Sequence, residues 1–375
     1  MKKAAAVLLA AALAACATTP QPARSLADPE VQRVMRREGV QGLAIATIDA
    51  GKVGRVRMFG MRNAALGLPM TDDTVLPAGA LTQAAFAYLL LQLADEGKLD
   101  LDAPLARLLP QPLPAYRERP FDYADLAEDA RWRELTPRLL IMHAGGLPDH
   151  RWYEPDERLR IHGEPGTRYA YSHEGYLLLQ LIVERGLGLD IEREMQKRVF
   201  DRLGLKRTSL RWRAELTATE AAGYGFDGAP QTLERHFRLR MGASMYSTIG
   251  DQARLWAGIV RGEGLSAAMR AALTAPALPV TSRTEFPTFD AAQATWPQAL
   301  AAGLGVMVFR DRDGQAFFRG DHDDWSANFV LCRSAGQRCA VVMSNDVRAE
   351  RLVPEIVGLM LNGTDMPWEW VYRWR

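Results

Sequence analysis

Lysine is scarce in this chain, and the six present (Lys2, Lys3, Lys52, Lys98, Lys197 and Lys206) exclude one kind of chemistry at once. None lies three residues after a serine, so no Ser-x-x-Lys pair exists in which an amine one helical turn away could take the proton of a serine hydroxyl. Other catalytic signatures are missing too. There is no Gly-x-Ser-x-Gly elbow, no His-Glu-x-x-His pair and no phosphate-binding loop. Cysteine is confined to Cys16, Cys332 and Cys339, and the histidines are scattered with no metal-ligand spacing, so neither a metal nor a cofactor is expected. Charge of one sign is also lacking. The formal net charge is +1, and loss of the first fifteen residues would remove Lys2 and Lys3 but no acid, so an electrostatic nucleic-acid partner is not expected. No repeat and no second long hydrophobic span follow the N-terminal one.

What is present begins with Lys2 and Lys3, an Ala/Val/Leu run, and Leu13-Ala14-Ala15-Cys16. The run is too short for a permanent span and reads as a signal peptide over 1–15. Its end resembles a bacterial lipoprotein signal, which implies cleavage before Cys16, acylation of that sulfur, and a lipidated linker over 16–29 containing Pro20 and Pro22. Ala17, rather than Asp, follows the cysteine; by the same resemblance the protein is expected at the periplasmic face of the envelope, held by lipid to the outer membrane.

Residues 30–372 read as one unit. Leu43 to Ile48 and Val53 to Phe59 alternate around Asp49-Ala50-Gly51-Lys52 like a hairpin. Ala80 to Glu96 is apolar on nearly every side, which requires a central helix, and Gly97 supplies a stop. Helical patterns follow at about 136–143, 175–186, 190–202, 248–261 and 266–273. Strand signals return at Gly303–Phe309, Gln315–Arg319, Asn328–Cys332 and Cys339–Ser344, before a last helix near 351–361. Strands at both chain ends with helices between them imply an α+β fold, in which N- and C-terminal segments share an antiparallel sheet with flanking helices. A sheet lobe over about 30–78 and 300–372 and an inserted all-helical lobe over about 79–299 are expected. With Ala335-Gly336 as a hairpin turn, Cys332 and Cys339 fall opposite each other within disulfide reach; the other reading is two small buried strand residues.

Four stretches carry a family resemblance. They are Val75 to Gln83 with the helix after it, Leu139-Leu140-Ile141-Met142-His143-Ala144-Gly145-Gly146-Leu147, Pro165 to Tyr176, and Ala243-Ser244-Met245-Tyr246-Ser247-Thr248. Together they resemble the serine β-lactamase and penicillin-binding-protein family, in its class C and esterase branch. The resemblance implies a serine hydrolase architecture with a cleft where three motifs meet. At the first motif the Ser and Lys positions read Ala80 and Gln83; a methyl group and a neutral amide cannot form or activate a nucleophile. At the second, Tyr171 survives and His173 replaces an Asn. At the third, aligned through Gly320, the cationic position reads Phe318, and alternation turns Arg319 to the other strand face, where it is a poor substitute as an anion-binding group. The cluster Asp321-His322-Asp323-Asp324 reads as a solvated acidic loop, since four consecutive residues cannot converge on one ion.

The resulting expectation is an envelope lipoprotein with a dead nucleophile site, whose cleft binds a peptide, glycan or protein and regulates rather than cuts. Two alternatives stand beside it: an active hydrolase working through Tyr171, His173 or Thr82, and a structural envelope component that needs no cleft. The anchor has a direct test. Cys16→Ala is expected to move the protein from the membrane fraction to the soluble fraction on cell fractionation, and continued membrane association would refute lipidation at that residue.

Overall fold

A computed structural model describes residues 27–231, 235–286, 289 and 293–372. The expected leader, Cys16 and most of the linker lie outside the described residues. The first element is α1 (Asp28–Glu38), with Asp28 and Glu30 in its first turn and Arg36 and Arg37 in its last, as the helix dipole favours. It buries Val31, Val34 and Met35. A hairpin of β1 (Gly42–Asp49) and β2 (Lys52–Asn63) follows, then the short β3 (Leu68–Pro69).

The chain next leaves the sheet for α2 (Leu81–Asp95), in which every residue from Leu81 to Leu93 is buried. A helix with no polar face cannot meet water on any side, so α2 becomes the axis against which the rest packs. The inserted region carries α3 (His173–Leu181), and the chain comes back to the sheet with α4 (Ile249–Arg261). β4 (Leu278–Pro279), β5 (Ala301–Ala302), β6 (Met307–Asp311), β7 (Gly314–His322), β8 (Ala327–Arg333) and β9 (Arg338–Ser344) then lead to α5 (Val353–Leu361). Among the described residues one antiparallel sheet has the order β4-β5-β6-β7-β8-β9-β1-β2-β3. Its centre joins the two ends of the chain, with Leu43 opposite Ser344 and Ile48 opposite Cys339. All residues of β8 and β9 are buried, which requires cover on both faces of the sheet. No described helix is long and apolar enough to cross a membrane.

Two expectations about extent are corrected. Helix α4 lies on β1, β2 and β9, because its apolar stripe of Ile249, Ala253, Trp256 and Val260 needs the sheet to bury it; with β4 at Leu278, the sheet lobe therefore takes in residues from about 249 rather than 300. The strand expected over Gly303–Phe309 starts only at Met307. Before it the chain turns through Gly305, whose φ of +86° few other residues adopt and where a Cβ would sit 2.3 Å from Ala87 Cβ. In the β8–β9 ladder Cys332 stands opposite Cys339, Cα to Cα 4.1 Å, and the two are joined as a disulfide.

Candidate functional site

Strand β7 decides what lies beneath the start of α2. Side chains alternate along it, so Phe317, Arg319 and Asp321 share one face and Phe318 takes the other. Phe318 packs among Phe309, Phe329 and Trp370, with ring centroids 5.9, 5.7 and 6.2 Å away. That aromatic cluster fixes the face, and the sequence alignment is corrected accordingly. Phe318 is core and does not approach the cleft, whereas Arg319 lies under the first turn of α2, 1% exposed. The cation expected to be lost is present, but it is sealed in and offers no charge to an anion in the cleft.

Arg319 is held entirely by neutral groups. Its Nη2 donates to Gln83 Oε1 and its Nε to the Ala80 carbonyl at 3.4 Å. The guanidinium carbon sits 5.1 Å from the centroid of the Tyr171 ring. Gln83 Nε2 donates in turn to the Tyr171 hydroxyl at 2.9 Å. On its other side Tyr171 stacks on His143, 4.6 Å between centroids. His143 Nδ1 accepts the Ser172 N–H at 3.1 Å, so the neutral ring carries its proton on Nε2, which lies 3.5 Å from Arg319 Nη2. Burial, and then the Arg319 charge, hold His143 well below the usual imidazole range, and burial raises Tyr171 well above the usual phenol range.

At position 80, where the resemblance puts a nucleophile, the backbone is also committed. The Ala80 N–H donates to Asp321 Oδ1 at 2.7 Å, and Asn328 Nδ2 donates to Asp321 Oδ2 at 2.9 Å and to the Pro77 carbonyl at 3.1 Å. Gly79 makes this possible: its φ is +47°, and a Cβ there would lie 2.1 Å from the Asp321 carboxylate. An amide beside a nucleophile is the kind of donor that stabilises a developing oxyanion, and here it already holds an anion. The acidic stretch is therefore not simply a solvated loop. Asp321 is buried, and burial pushes its carboxyl up against the pull of the Ala80 and Asn328 hydrogen bonds; burial and then Asp321 push Asp323 up to about 8. His322 lies between Glu350 Oε1 (3.0 Å) and Glu285 Oε2 (3.4 Å), and although burial opposes the charge, these carboxylates raise it to about 10.

Above this floor lies an open cleft of about 1150 Å³. Of the residues picked from the sequence, Ala80, Tyr171, His173 and Gly320 line it; Gln83, Phe318 and Arg319 do not. Thr82 is buried and its Oγ1 accepts the Met245 N–H. The far wall carries Asp149, His150 and the exposed rings of Trp152 and Tyr153. Sequence reasoning missed Asp149, His150 and the inward role of His143. His143 stood within a stretch noted as a landmark, but nothing local ties Asp149 to a partner 24 residues away, His173 Nδ1, 2.5 Å from its Oδ1.

Two measurements follow from these contacts. Arg319→Ala leaves Gln83 Oε1 without its donor and opens a cavity, so it is expected to cost about 2–4 kcal/mol by denaturant unfolding. His322 has a folded pKa raised above its unfolded value, so its contribution is complete below about pH 6.5 and is lost as pH rises toward about 10. The wild type is thus expected to lose melting temperature relative to His322→Gln over that window, and parallel melting curves for the two proteins would contradict the assignment.

Comparison with known proteins bears on the family and the fold. The matched part of a Beta-lactamase of Pseudomonas fluorescens is 28% identical over 216 residues, 55% of this chain and 56% of that protein. The D-alanyl-D-alanine-carboxypeptidase/endopeptidase AmpH of Escherichia coli is 24% identical over 200 residues, 51% of each chain. The chain thus spans about half the length of the curated relatives it matches. Among solved structures, a D-alanine carboxypeptidase AmpC from Burkholderia cenocepacia superposes with a TM-score of 0.69 at 16% identity, covering 89% of this chain and 97% of that one. The octameric penicillin-binding protein homologue from Pyrococcus abyssi gives 0.67 at 19% identity, covering 86% and 73%. A family model described as Beta-lactamase matches residues 27–359. That match takes in the sheet, the central helix and the cleft alike, and the chain belongs to the beta-lactamase family.

Proposed function

We propose that this protein is a catalytically silent member of its family that binds a ligand in the cleft without capturing it covalently. The observation that carries this reading is the state of position 80: a methyl group stands where a hydroxyl is needed, and the amide beside it is already bonded to Asp321. The candidate substitutes are engaged elsewhere. Thr82 Oγ1 is buried against Met245, and Ser172 caps α3 through Gly175 while donating to the Pro148 carbonyl. The relatives' names, beta-lactamase and D-alanyl-D-alanine carboxypeptidase, make a cell-wall peptide the first ligand to test, with a glycan or a partner protein as the alternatives. In this reading the protein works at the periplasmic face of a bacterial envelope, anchored to the outer membrane by lipid on Cys16, and modulates an active relative. The signal-like N-terminus supports that placement.

A second reading has one observation in its favour. Asp149 holds the His173 Nδ1–H at 2.5 Å, an orientation that suits an imidazole base acting on water with no covalent intermediate. One experiment separates the two. The protein is incubated with labelled penicillin and with an activated ester, and intact mass and released product are followed together. Silence predicts neither an adduct nor product above the solvent rate. Product without an adduct, lost in His173→Ala, would favour the second reading, and an adduct on Thr82 or Ser172 would overturn both.

A further inference from the structure

We propose that Asp149, His150 and His173 form a binding site for one divalent transition-metal ion of zinc's class on the wall of the cleft. Two imidazoles and a carboxylate are a donor set that zinc, cobalt, nickel and copper accept, whereas magnesium and calcium prefer oxygen throughout. The three donor atoms lie within 4.8 Å of one another. Asp149 Oδ1 is 2.5 Å from His173 Nδ1 and 3.8 Å from His150 Nε2. Donors around a tetrahedral zinc stand about 3.3 Å apart, so one pair must open and the other close. Side-chain rotation supplies both movements.

The backbone beneath the three donors is already fixed. The N–H groups of His173 and Glu174 both donate to the Asp149 carbonyl, at 3.0 and 3.1 Å, and Arg151 forms an ion pair with Glu174 at 2.9 Å. The loop that carries Asp149 and His150 is therefore stapled to the start of α3, which carries His173. The donors are also available. No side-chain hydrogen bond joins His150 to another described residue, and its Nε2 lies 3.8 Å from Asp149 Oδ1. His150 is stacked between His173, at 4.3 Å, and Trp152, at 3.9 Å. Parallel rings hold their lone pairs in parallel planes, so His150 must turn to share an ion with His173. Trp152, 47% exposed, is the neighbour that can yield. The ion takes the lone pair of His173 Nδ1, whose proton is exchanged through solvent to Nε2 so that the ring stays neutral, and its remaining coordination positions face the cleft.

This site stands independently of whether position 80 is silent. The test uses the full chain without a histidine tag, dialysed to equilibrium against Zn²⁺ with the bound metal quantified, and Co²⁺ absorption as a report on the donor set. Wild type is expected to hold one equivalent. His150→Ala and His173→Ala should each weaken binding at least tenfold, and His162→Ala, outside the trio, should not. Unchanged circular dichroism and melting would show that the variants fold. Should they not fold, the wild type is probed directly: Zn²⁺ is expected to protect His150 and His173 from acylation by diethyl pyrocarbonate. No retained zinc, equal retention by wild type and the double His150→Ala/His173→Ala variant, or no protection would overturn the site.

Discussion

A positive charge buried under the first turn of α2 sets the terms for everything around it. The Arg319 guanidinium cannot shed its proton, and taking it out of water is costly unless acceptors surround it. The Ala80 carbonyl, Gln83 Oε1 and the face of Tyr171 are those acceptors. Gln83 fits because an amide can accept from Arg319 at one end and donate to Tyr171 at the other. A lysine there would set an ammonium against the guanidinium. The missing lysine of the first motif and the arginine on β7 are therefore two sides of one electrostatic solution.

Asp321 completes it from two residues further along the same strand face. Its carboxylate rests at the positive end of α2 and takes the Ala80 N–H, so a cation and an anion of β7 grip the two sides of the helix start. The Ala80 N–H, the Gln83 amide and the Arg319 guanidinium are already bonded inside the protein. The first turn of α2 is thus engaged from below while the cleft itself stays open, and the proposed binding role rests on that combination.

The polar groups that remain accessible belong to the walls. Asp149, His150 and His173 come from a loop and a helix start joined by backbone hydrogen bonds, and Trp152 and Tyr153 extend the same wall toward solvent. This wall of the cleft brings two imidazoles, a carboxylate and two exposed aromatic rings together.

The architecture was legible in the sequence wherever the signal is local. The β1–β2 hairpin follows from alternation around a turn, the central place of α2 from an apolar run with no wet side, and the absence of a Ser-x-x-Lys pair at its start from two letters three positions apart. Each depends on residues within one or two turns of chain. The tertiary structure alone decided which face of β7 looks at α2, because Phe318 and Arg319 exchange roles with a one-residue choice that only the Phe309, Phe329 and Trp370 cluster makes. It also decided that α4 belongs with the sheet, that Asp321 reaches an amide 241 positions earlier, and that His173 meets Asp149. Contacts of that range are set by how whole elements bury their apolar faces, and no local pattern encodes them.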